Sequence, residues 1–68
     1  MSEIEHPLRT ALREFCLNQI GNDSLVEGKP LTVAIADVLD YIGEDYASRN
    51  ETGMADDIQR IATALRRV

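Results

Sequence analysis

The chain has 68 residues, enough for one domain and one small core. A single cysteine, Cys16, excludes an internal disulfide and a cysteine-rich zinc site, and a single histidine, His6, excludes a histidine relay or a multi-histidine metal site within one chain. The formal net charge of −5 repels phosphate backbones and suits a basic protein partner; nucleic acid is not the expected ligand.

At the N-terminus, "MSEIEHPL" carries two glutamates where a secretory signal carries lysine or arginine, and no stretch has the length of a membrane span. A complete cytoplasmic product with no membrane association is expected. Leu8, Ala11, Leu12, Phe15, Cys16 and Ile20 share one face at helical spacing, which predicts a first helix over about 6–20. Ser2 with Glu5 matches a capping box, but His6 as cap with Pro7 as the first helical residue suits the missing proline N–H better. Gly21 supplies the stop. Leu17 points away from the stripe, among Thr10, Arg13 and Glu14, and is a candidate partner contact.

Residues 21–30 carry Asp23-Ser24-Leu25, a triplet that resembles the phosphopantetheine attachment site of acyl carrier proteins, in which the serine opens a long helix. Gly28 and Pro30 follow too soon to leave room for that helix. Gly21 to Ser24 therefore reads as a turn, with Leu25 and Val26 anchoring the loop to the core, and no cofactor is expected.

The second helix, over about 30–49, has the strongest pattern: Leu31, Ile35, Val38, Leu39, Ile42 and Tyr46 form its stripe. Val33 and Ala36 lie off that stripe, so the helix is expected to be central or to face a second copy, with Val33 and Ala36 at the dimer interface. Asp37, Asp40 and Glu44 project opposite the stripe, with Tyr41 at their flank, and make a candidate surface for a basic partner. Carboxylates strung along a straight helix rarely converge on a cation, so no metal is assigned to them. Reversing the three to lysine is expected to spare folding and slow association.

"NETG" forms the next break, and Met54, Ile58, Ile61, Ala62, Leu65 and Val68 predict a third helix over 54–68, with Asp56 and Asp57 in its first turn and Arg66 and Arg67 in its last. The result is an all-α, three-helix domain. Its expected core is Leu8, Leu12, Phe15, Ile35, Val38, Leu39, Ile42, Ile58, Ile61 and Leu65, with alanine at Leu39 or Ile61 costing about 2–5 kcal/mol. Domains of this size need a staple, a metal or another subunit, and with no disulfide a homodimeric bundle is the expected form.

Two functional readings follow. The first is a non-enzymatic interaction module, an inhibitor or adaptor docking through helices and an acidic face; in character it looks like the small acidic helical proteins with which phages and mobile elements block host proteins. The alternative is a helix-turn-helix regulator, because the second break has the right length and Gln59, Arg60, Arg66 and Arg67 lie on the last helix.

Overall fold

The computed structural model describes residues 6–68. Among the described residues there are three helices and no strand: α1 (Pro7–Gln19), α2 (Leu31–Ser48) and α3 (Thr52–Arg66). The possible capping box of Ser2 and Glu5 lies outside them.

Helix α1 begins as its proline dictates. Pro7 takes the first helical position, and His6 Nδ1 accepts the Leu8 N–H at 3.1 Å. At the other end Gly21 adopts a φ of +92°, and its N–H returns to the Cys16 carbonyl at 3.1 Å. The following segment is a closed loop. The Asn22 side chain accepts both the backbone N–H and the hydroxyl of Ser24, at 3.1 and 2.6 Å, so Ser24 belongs to an exposed Asx turn. Arg9 donates to the Val26 carbonyl at 3.2 Å and Arg13 to the Asp23 carboxylate at 3.1 Å, which ties the loop to α1 and seats the Val26 side chain in the core.

The link between α2 and α3 is shorter than "NETG" suggests. Asn50 takes a φ of +67°, and the Glu51 N–H bonds the Tyr46 carbonyl at 3.0 Å, closing the turn within three residues. Thr52 and Gly53 are then free to enter α3. Asp56 and Asp57 consequently fall in the second turn, and the expected acidic first turn is corrected; Arg66 does occupy the last turn.

Helix α2 is central. Helices α1 and α3 pack on different sides of it and, among the described residues, do not meet each other. The chain is a flattened body of 47 × 28 × 16 Å with a radius of gyration of 12.8 Å. A tightly packed chain of this length has a radius near ~11 Å.

Two sides of α2 bury different kinds of residue. Toward α1 and the loop, Ala34 and Val38 join Cys16 and Val26, with Leu12, Phe15, Ile20, Leu25 and Ile42 packed around them. Toward α3 the contact is built of small residues. Gly43 lies against Ala55 and Ile58, and Ala36 and Ala62 are fully buried. Small side chains at this seam let the two backbones approach closely along their length.

Of the expected core, Val38 is buried and Leu12, Phe15 and Ile42 pack against its cluster, Ile35, Leu39, Ile58 and Leu65 are only half-buried, and Leu8 and Ile61 are corrected to the surface. Leu8 is 50% exposed and Ile61 is 54% exposed, so alanine at Ile61 removes little buried area within one protomer. Ala36 is likewise removed from the expected dimer contact, because α3 covers it; Val33 is half-buried.

Candidate functional site

The stretch of α2 after its first turn presents Asp37, Asp40, Tyr41 and Glu44 on neighbouring positions of the helix surface, since residues three and four apart are neighbours there. Leu25 reaches the same place from the loop. Together these five residues line a groove of about 330 Å³. Four of the five expected partner contacts thus converge on one concave surface; the fifth, Leu17, is half-exposed on α1 and is not among the lining residues.

Tyr41 gives the groove a rigid wall. Its ring meets Phe15 of α1 edge to face, with centroids 6.3 Å apart and planes at 75°, a geometry that the aromatic quadrupoles favour. Leu25, packed against the core cluster, supplies a second apolar surface.

The carboxylates are unequal. Asp37 receives Lys29 from the loop and Arg66 from the end of α3, the latter at 2.6 Å. The same guanidinium reaches Asp40, also at 2.6 Å. Hydrogen bonding from Lys29, followed by that from Arg66, outweighs burial and holds the Asp37 carboxyl below its ordinary range. Arg66 in turn is held above its ordinary range by the hydrogen bonds it donates to Asp40 and then to Asp37. Glu44 is exposed and makes no ion pair among the described residues.

This division changes one expectation. Reversing Asp37, Asp40 and Glu44 together should therefore cost stability, because Asp37 and Asp40 pair α2 with the loop and with α3. Only Glu44 can be reversed without breaking a pairing of the described residues.

Leu25, Lys29 and Arg66 are the residues that sequence reasoning did not place at this site. Arg66 was legible in principle: counting equally back along α2 from the turn at Asn50 brings it within about one helical turn of Asp37. Lys29 sits in a loop without periodicity, and no spacing rule reaches it.

Elsewhere, Cys16 is fully buried, and desolvation followed by the nearby Asp23 charge pushes its thiol pKa up, the opposite of what a nucleophile requires. Iodoacetamide should leave Cys16 unmodified in the folded protein at neutral pH and alkylate it readily in guanidinium, as read by mass spectrometry. Rapid native alkylation would show that the α1–α2 cluster opens on its own. Among the described residues, no three His, Cys, Asp or Glu side chains converge as a metal site needs, and no helix is long and apolar enough to cross a membrane. Comparison with protein-family models, with curated proteins and with solved structures finds no match.

Proposed function

We propose that this chain is a non-enzymatic protein-interaction module, an inhibitor or adaptor in kind, that works as a homodimer in the cytoplasm and docks a basic segment of another protein in the groove of Leu25, Asp37, Asp40, Tyr41 and Glu44. The observation that carries this reading is the convergence of an aromatic wall, an apolar residue and three carboxylates on one concave surface. Such a groove suits a helix or extended segment that places a lysine or arginine beside an apolar side chain. Tyr41 and Leu25 contribute contact area, while Glu44, which makes no ion pair among the described residues, contributes the attraction that speeds encounter.

The helix-turn-helix reading is less well served. Recognition helices cross their partner helix at about 90–120°. Here the end of α3 pairs with the first half of α2 and its beginning abuts Gly43, so the two run antiparallel along their length. Arg66 is held by Asp37 and Asp40, and Arg60 by Asp56 at 3.1 Å, which leaves little free positive charge on α3.

The test is affinity capture from a cytosolic extract with tagged parent and variant proteins, alongside a gel shift on duplex DNA. A captured protein that is lost with Tyr41→Ala and binds several-fold more slowly to Glu44→Lys at low salt supports the groove. Glu44→Lys should leave the melting temperature nearly unchanged, since Glu44 is exposed and substitutions at such surface positions stay within about 0.5 kcal/mol. DNA binding that Arg67→Ala weakens would instead favour the regulator.

A further inference from the structure

The chain has three aromatic residues, Phe15, Tyr41 and Tyr46, and no tryptophan. All three line one cleft of about 300 Å³ between α1 and α2, with Ile42, Asp45 and Arg49 beside them. Aromatic rings bury the most area of any side chain when placed in a core. Here the fully covered residues, among those described, are cysteine, valine and alanine, and each of the three rings is only half-buried. The rings therefore stand at the wall of a concave site, where binding pockets place them.

The cleft already holds a cation of its own. The Arg49 guanidinium lies over the Tyr46 ring, 4.8 Å from its centroid, and bonds the Asp45 carboxylate at 2.9 Å. An aromatic face beside a carboxylate is a recognition set for cations: the ring quadrupole attracts the positive charge and the carboxylate accepts its N–H groups. The resident cation is weakly held, because Arg49 and Asp45 are both more than half exposed and lie one turn apart on a single helix, a pairing that water and salt largely screen. Among the described residues Arg49 stacks on no other ring, so the contact area of Phe15 and Tyr41 goes unused by it.

We infer that this cleft receives an arginine side chain of the basic partner, and that Arg49 is an internal stand-in displaced on binding. The inference deepens the docking proposed above and rests on it for the partner's charge. Arginine suits the cleft better than lysine, since a planar guanidinium stacks on a ring while donating to a carboxylate. Tyr41 lines both the cleft and the acidic groove, which makes the two continuous. Along α2 the cleft is centred roughly four residues beyond the groove, ~6 Å at the helical rise. Two residues of an extended segment, or one turn of a helix, span about that distance. The partner segment thus offers one basic residue to the groove and an arginine at that spacing to the cleft. Arg49 sharpens the selection: a lone cation gains little more than Arg49 gives up, whereas a segment that also engages the groove gains from both sites.

The test is an NMR titration of isotope-labelled protein at low salt with acetyl-Arg-Ala-Arg-amide, and with the lysine and leucine analogues of that tripeptide. The arginine probe should move the amide signals of Phe15, Tyr46 and Arg49, and should bind more tightly than either analogue. Tyr46→Leu should weaken it about two- to fivefold, as loss of an exposed cation–π contact does, while Tyr46→Phe, which keeps the ring, should not. Arg49→Ala should tighten it about twofold beyond Arg60→Ala, which removes the same charge from an exposed pair with Asp56 on α3. Equal tightening by the two variants means that net charge alone acts, and overturns the stand-in. A leucine analogue that binds as well as the arginine probe overturns the arginine reading. Movement confined to Asp37, Asp40 and Glu44, insensitive to Tyr46→Leu and lost in Glu44→Lys, overturns the cleft and keeps the groove. Movement at Phe15 and Tyr46 that Glu44→Lys leaves unchanged supports the cleft and counts against the groove. No movement at millimolar probe overturns the inference outright. Should Tyr46→Leu fail to fold, the comparison of Arg49→Ala with Arg60→Ala and the positions of the moved signals still decide.

Discussion

Gly43→Leu should be strongly destabilising, whereas Gly43→Ala should be neutral or stabilising. A Cβ at this position meets Ile58 Cγ2 at 3.5 Å and the Ala55 carbonyl at 3.7 Å, ordinary contact distances. Alanine therefore fits without moving α3, and it replaces the worst non-proline helix residue with the best, a gain of up to about 1 kcal/mol. Leucine adds three further carbons where the two backbones already touch through small side chains. Accommodating them means levering α3 away from α2, which loosens the seal over Ala36 and Ala62 and draws Arg66 from its carboxylates. Overpacking of this kind costs about 1–3 kcal/mol. In a domain this small each kcal/mol moves the melting temperature by roughly 4–8 °C. Melts followed at 222 nm should thus show the leucine variant well below the parent and the alanine variant at or above it. A leucine variant as stable as the parent would mean that the α2–α3 seam is not close-packed.

That seam also marks what was legible in the sequence. Large apolar residues at helical spacing placed all three helices, and the proline, histidine and glycine at the ends of α1 placed its boundaries, because backbone chemistry acts locally. The same stripes misplaced Leu8 and Ile61. A stripe shows which face of a helix is apolar, but not whether the rest of the chain supplies enough material to cover it. The contact that organises α2 and α3 was carried instead by small residues repeating at seven, Ala36 with Gly43 and Ala55 with Ala62, which contribute little to an apolar count. Two facing seven-residue repeats of alanine and glycine are a usable sign of close helix packing. The acidic groove was partly legible for the same reason as the helices: Asp37, Asp40, Tyr41 and Glu44 are neighbours on one helix surface whatever the fold. Leu25, Lys29 and Arg66 joined them through tertiary structure, from elements whose direction of approach no local pattern encodes.

Asp37→Asn should lower stability at neutral pH, and that deficit should disappear in acid. Asp37 is the meeting point of all three parts of the polar side, accepting from Lys29 of the loop and Arg66 of α3 while itself anchored on α2. Its side chain is only 19% exposed, so the pairings are partly shielded from solvent. Hydrogen bonds to charged groups contribute about 1.5–3 kcal/mol when shielded and well under 1 kcal/mol when fully exposed, which puts Asp37 at about 1–2 kcal/mol. The pH dependence follows from the direction of its shift. Its pairing with Lys29 and then Arg66 holds the folded-state pKa below the unfolded value of about 3.9. The stabilisation is accordingly complete above that unfolded value and is lost as the pH falls from it through the folded pKa. At pH 7 the asparagine variant should melt roughly 5–15 °C below the parent, on the melting scale for small domains. As the pH drops below about 3.9 the parent should lose the advantage, because protonated Asp37 offers its partners little more than an amide does. A deficit that stays constant from pH 7 to pH 2 would mean that the loss comes from packing around the side chain and not from its charge. The paired melts therefore measure the electrostatic part of the clamp that holds the groove together.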